Sequence, residues 1–226
     1  MKVWLKAALM LAMLATASVC VAAAATPDGC RTLRLHGKKA EATDCFEALA
    51  RSGDAYQMAE GYWGLGDWEQ AKKEFETAIA QPKALALWKV RYGRLFLERF
   101  NSKDALDLFT DALKQEPGNA EAYLAMAMES AESYDVVAQD YAAKAIAANP
   151  KLAEAHTFMA NHDLEDEEIG DAVKEAQKAM ELSPYEGGSD ALDAMAVLAA
   201  ADLLMDKNAD AETWFAKIHA VNPSDG

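Results

Sequence analysis

Apolar residues recur along this chain at positions i, i+4 and i+7, separated by polar ones. In GDWEQAKKEFETAIAQP, residues 66–82, Ala71, Phe75 and Ala78 fall on one helical face, and Pro82 follows where the helix must stop. The arrangement returns as Ala105, Phe109, Ala112 and Pro117, then as Ala138, Ala142, Ala145 and Pro150. It returns again as Ala172, Ala176, Ala179 and Pro184, and last as Ala211, Phe215, Ile218 and Pro223. A second apolar segment precedes each stripe. It holds Met58, Ala59 and Tyr62 in the first copy and Trp88, Gly93 and Phe96 in the second. AYLAMAMES and AMAVLAAADLL fill that place in the third and fifth copies, and His156, Met159, Ala160 and Asp163 in the fourth. Alanine is abundant and strand-like runs of Val, Ile and Thr are missing, so the pattern predicts an all-helical chain.

Pro117, Pro150 and Pro184 are spaced 33 and 34 residues apart, and the next interval, to Pro223, is 39. The extra residues coincide with a predicted loop over Tyr185 to Ser189. A period near 34 residues is that of a stacked array of helical hairpins. The small residues explain themselves in such an array. Paired helices approach to roughly 8–10 Å, at a separation set by the side chains at the contact. A large residue at Ala71, Ala105 or Ala172 would push a hairpin open, at about 1–3 kcal/mol.

Five copies of this large, small and aromatic pattern, each closed by a proline, resemble the tetratricopeptide repeat family from about Asp54 to Pro223. The resemblance implies an all-α, right-handed solenoid of stacked antiparallel helix hairpins. Its expected repeats are residues 54–84, 85–118, 119–151, 152–185 and 186–223. Residues 26–53 are expected to supply an N-terminal segment and a capping helix, in which Ala42, Phe46 and Leu49 are suitably spaced and the partner helix is missing or short. At the far end Trp214, Phe215, Ile218 and Val221 lie on the last helix. Arrays of this kind usually end in a polar cap. That face therefore packs inward, is covered by another molecule, with self-association through Trp214, Phe215 and Ile218 as one form, or adjoins further chain.

The N-terminus changes the picture of where the protein works. Lys2 and Lys6 precede an uncharged run from Ala7 to Val21, and Ala22 to Ala25 offer cleavage sites, the order of a secretory signal peptide over residues 1–25. The run is short and alanine-rich for a membrane span. The reading predicts an exported protein, periplasmic or extracellular, with no membrane association after cleavage. Cleavage takes two lysines and no acids, moving the formal charge from −15 to −17. So acidic a chain is repelled by phosphate backbones, which argues against a nucleic-acid partner.

Candidate chemistry is sparse. There is no H-E-x-x-H, G-x-S-x-G, phosphate-binding glycine loop or CxxC, so no enzymatic activity, metal or cofactor is expected. His156 and His162 are six residues apart and do not share a helical face, and His156 occupies a packing position. The acidic runs DLEDEEIGD (163–171) and DKNADAETWFAK (206–217) lack the glycine of a calcium loop and fall at hairpin turns, where acids and amides are expected to cap the second helix. Cys30 and Cys45, the pair left after cleavage, are a disulfide candidate. Fifteen residues of straight helix would span over about 20 Å, so a bond requires a turn, for which His36-Gly37 is suited.

Family resemblance implies that the upstream helices line an inner surface that binds a protein or peptide. Its expected contact residues are Tyr56, Glu60 and Trp63, then Arg94 and Leu97, Leu124 and Met128, and Asn161. Aromatic and arginine side chains make the best anchors. The plainer alternative is that Trp63 and Met128 only pack between repeats. Two roles stay open: a non-catalytic exported scaffold, or an N-terminal interaction module of a longer, metallopeptidase-like exported enzyme.

Overall fold

The computed structural model describes residues 25–132, 137–183 and 189–221. The predicted signal segment up to residue 24, the loop at 184–188 with Pro184, and Pro223 lie outside the described residues. Among the described residues twelve α-helices account for the fold and no strand occurs. They follow as pairs: α1 (Pro27–Leu35) with α2 (Lys39–Ala50), α3 (Ala55–Leu65) with α4 (Trp68–Ile79), and α5 (Ala86–Leu97) with α6 (Ser102–Gln115). Then come α7 (Ala120–Glu132) with α8 (Ala138–Ala148), α9 (Ala153–Glu165) with α10 (Ile169–Leu182), and α11 (Ser189–Leu204) with α12 (Asn208–Val221).

The stripe residues build the core. Ala71, Phe75, Ala78, Ala105, Phe109, Ala112, Ala142, Ala145, Ala172, Ala176 and Ala179 are all fully buried. From α3 onward each odd helix packs most extensively on the even helix after it. Close approach is visible at Gly93 on α5, where a Cβ would lie 2.3 Å from the Phe109 ring of α6. Odd helices also meet one another, α1 on α3, α5 on α7 and α9 on α11, so they form one layer of an all-α solenoid.

Among the described residues, five turns inside the pairs share one closure. A residue with positive φ follows the odd helix at Gly37, Gly66, Phe100, Glu167 and Asp206. Its amide bonds back three residues, and the next amide bonds back five, as in Phe100 N–H to Leu97 O at 2.9 Å and Asn101 N–H to Phe96 O at 3.0 Å. Gly37 makes the same closure between α1 and α2. The N-terminal segment is thus a helix pair of the same build as the rest, with a short first helix. Side chains cap α4 through Asp67 and α6 through Asn101. At α10 the expected acidic cap is replaced: Glu168 makes no side-chain capping bond, and the turn is closed by the backbone at Glu167 instead.

The last stripe departs from the others. Ala211 is buried, but Phe215 is 49% exposed and Ile218 half-buried. Trp214 packs against the α9–α11 cluster and donates from Nε1 to Asp202 at 3.1 Å.

Candidate functional site

The odd-helix layer opens into a groove of about 520 Å³. Arg31 and Arg34 reach it from α1, Glu60, Trp63 and Gly64 from α3, Arg91, Arg94 and Leu97 from α5, and Met128 from α7. Phe46 of α2 forms part of its wall. A second cavity of about 320 Å³ shares Arg31, Arg91 and Arg94 and extends past Tyr56 to Glu121 and Glu154.

The organising residue is Glu60, 1% exposed. Arg91 grips it with two bonds, Nε at 2.6 Å and a terminal nitrogen at 3.0 Å. Arg31 donates at 2.7 Å and the Tyr56 hydroxyl at 3.0 Å. A carboxylate offers about four acceptor positions, and these four bonds fill them. Burial pushes the Glu60 carboxyl up, but the Arg91 and Arg31 guanidiniums override it and hold it below the ordinary carboxylate range. Arg94 is held by Glu154 of α9 through a bidentate pair at 2.8 and 3.0 Å. Glu154 follows the same balance: burial raises it, Arg94 lowers it, and the net shift is downward. Glu121 beside them has its carboxyl raised, by burial first and by Glu154.

Aromatic faces carry the arginines. The Arg91 guanidinium lies 4.4 Å from the Trp63 ring centre, and that indole donates to Glu98 at 2.7 Å. Arg34 lies 4.6 Å over the Phe46 ring and donates to the carbonyl of Gly64. Tyr56 stacks on Trp88 at 5.3 Å. Such stacking fixes a guanidinium while leaving its edge nitrogens free to bind.

Glu60, Trp63, Arg94, Leu97 and Met128 share the groove, and Tyr56 lies in the adjoining cavity. Three of the expected contacts need correction. Glu60 is saturated by its own neighbours and orders the arginines instead of meeting a partner. Leu124 is fully buried with Ala145 and Ala155, because its helix face turns into the α7–α9 core. Asn161 is exposed on α9, bonds to the Thr157 carbonyl at 3.0 Å, and lines neither cavity. Arg31, Arg34 and Arg91 were missed. Their signal was the repeated R-x-x-R spacing, Arg31/Arg34 and Arg91/Arg94, which sets each pair on one helical face.

Elsewhere, Cys30 and Cys45 are joined by a disulfide with Cα atoms 5.4 Å apart, across the Gly37 turn. His156 bonds to Glu175 at 2.6 Å and to the Pro150 carbonyl at 3.1 Å, so both ring nitrogens are engaged in packing helices together. Among the described residues no three His, Cys, Asp or Glu side chains are placed to hold a metal, and no helix is long and apolar enough to cross a membrane.

No family profile and no curated protein matches the chain. Solved structures match it in fold. TTC0263, a thermophilic TPR protein of Thermus thermophilus, aligns at TM-score 0.59 and 20% identity over 76% of this chain and 91% of its own. PilW, a widely conserved type IV pilus biogenesis factor, aligns at TM-score 0.58 and 20% identity over 86% of this chain and 91% of its own. A chain of the APC/C hetero-tetramer Cut9–Hcn1 aligns at TM-score 0.69 and 12% identity, over 88% of this chain but 38% of its own. The helix pairing, the turn closure and these likenesses agree: this chain has the tetratricopeptide-repeat fold.

Proposed function

We propose that the chain is a non-catalytic, exported scaffold that holds a segment of another polypeptide in the α1–α3–α5–α7 groove. One observation carries the reading: Trp63, Leu97 and Met128 provide apolar surface in the same concave site where Arg31, Arg34, Arg91 and Arg94 converge. Apolar anchors ringed by oriented polar groups are what a protein-binding site needs. The fold likeness to PilW, a biogenesis factor by description, and to the Cut9–Hcn1 assembly supports a role in bringing proteins together. The N-terminal order of lysines, apolar run and alanines supports export.

The test is affinity capture with the mature chain from its own host, alongside Trp63→Ala and Arg94→Ala, with circular dichroism to show that both variants stay helical. At least one captured protein should be lost from both variants. If each retains every captured protein, the groove is not the binding surface. Fractionation of the host, with the protein found inside the cytoplasm, would overturn the export reading.

A further inference from the structure

We infer that two copies of this chain pair through α12, packed antiparallel across a two-fold axis. Inside the array an even helix packs on the odd helix before it and on the one after it, as α6 does on α5 and α7, and α10 on α9 and α11. The stripe records that double cover. Four residues past its first alanine stand Phe75, Phe109, Ala142 and Ala176, all fully buried. The same position on α12 is Phe215, 49% exposed. Eight residues before the first alanine, Leu97 is buried and Leu164 half-buried, whereas Leu203 is 46% exposed. Among the described residues no helix covers the outer face of α12. Phe215 and Leu203 lie on that uncovered end.

The flank of α12 names the occupant. Eight residues past the first alanine, every inner copy carries a packed apolar side chain: Ile79, Leu113, Ile146 and Met180. α12 carries His219 there, exposed. One residue past the alanine, where α6 has Leu106 and α10 has Val173, α12 has Glu212, also exposed. A further repeat of the same kind would bury both, and a buried carboxylate without a partner is costly. A second α12 supplies the partner. Glu212, Phe215, Ala216 and His219 fall at i, i+3, i+4 and i+7, so they form one exposed stripe. A two-fold axis lays such a stripe against its own reverse. Glu212 of each copy then meets His219 of the other, and Phe215 lies over Ala216. Acid meets base, and large meets small. A parallel pair would instead set Glu212 on Glu212. The antiparallel pair has an apolar centre and a polar rim, the anatomy of a protein interface. Trp214 turns inward to Asp202 and stays out of the contact.

The test is sedimentation equilibrium of the mature, disulfide-intact chain over a concentration series reaching the millimolar range, with circular dichroism on every variant. The chain should pass from monomer to dimer and no further, because a two-fold contact closes on itself. Phe215→Glu should weaken the dimer at least about thirtyfold, the scale of losing an aromatic anchor. If that variant loses helicity, Ala216→Glu, at an exposed position, gives the same reading. His219→Glu sets like charge on Glu212 and should weaken pairing several-fold, and adding Glu212→Lys should restore it. Within one copy these two residues stand two turns apart, so recovery reports contact between copies. A monomer at every concentration, or a dimer indifferent to both Phe215→Glu and Ala216→Glu, overturns the inference. A double replacement that fails to recover the dimer overturns the antiparallel pairing. The groove reading is untouched by any of these results.

Discussion

At the scale of single residues, small side chains set how closely the helices approach. Gly61 on α3 faces backbone: a Cβ there would lie 2.4 Å from the Ala50 amide nitrogen and 2.8 Å from the Phe46 carbonyl oxygen. Those are backbone atoms of α2 and cannot rotate away. Gly170 on α10 has nothing within 4 Å of the same position. The pair makes a controlled experiment. Alanine gains up to about 1 kcal/mol over glycine in a helix interior. At Gly170 that gain is unopposed, so Gly170→Ala should leave stability unchanged or raise it. At Gly61 overpacking costs about 1–3 kcal/mol and more where backbone must move, so Gly61→Ala should come out destabilised. Urea denaturation of both variants reads the difference, and equal midpoints would show that α2 and α3 can separate without penalty. The alanine stripes were legible in the sequence because their period is fixed by helix geometry. Gly61 carries no such signal, since nothing local says which backbone stands opposite.

At the scale of elements, the turns show what sequence leaves undetermined. The turn at His36-Gly37 could be read because glycine takes positive φ freely. The same conformation at Phe100, Glu167 and Asp206 could not, since local preference argues against it and tertiary pairing of the helices imposes it. Phe100 is the most strained of these by residue type, with φ at 56°, and its side chain is 91% exposed. Left-handed backbone costs a side-chain-bearing residue about 1–2 kcal/mol, and this ring recovers little through burial. Phe100→Gly should therefore stabilise the chain, by about 1 kcal/mol after glycine's extra freedom in the unfolded state is subtracted. A rise in the thermal midpoint checks it. A fall would mean that the exposed ring makes a stabilising contact in solution. The same replacement at Gly66, in reverse, predicts a loss, because its φ of 80° is outside what alanine adopts easily.

At the scale of the whole molecule, the groove depends on the first helix staying docked. The sequence showed which face each helix turns inward, and so found Trp63, Arg94 and Met128. It could not show that α1 folds back beside α3, which is what adds Arg31 and Arg34. Four things hold α1: the buried Cys30 in its cluster with Ala42, Phe46 and Leu49, the Arg31–Glu60 pair, Arg34 on the Gly64 carbonyl and the Phe46 ring, and the Cys30–Cys45 bond. A helix of nine residues has no stability of its own in water, because nucleation is too costly for its few bonds. The Arg31–Glu60 pair has a buried carboxylate that keeps Arg91 when Arg31 leaves, and the loop closed by the disulfide contributes about 3 kcal/mol in the chain-entropy account. Replacing both cysteines by serine also leaves a polar atom where Cys30 is fully buried. The expected result is local: amide hydrogen exchange at residues 27–35 becomes fast, while α3 to α10 keep their protection. Glu60 then loses one of its two arginines but keeps Arg91, so the array itself should stay folded. If protection over 27–35 survives the double replacement, packing and the ion pair suffice. If protection is lost throughout, the first pair is a cap on which the whole solenoid relies.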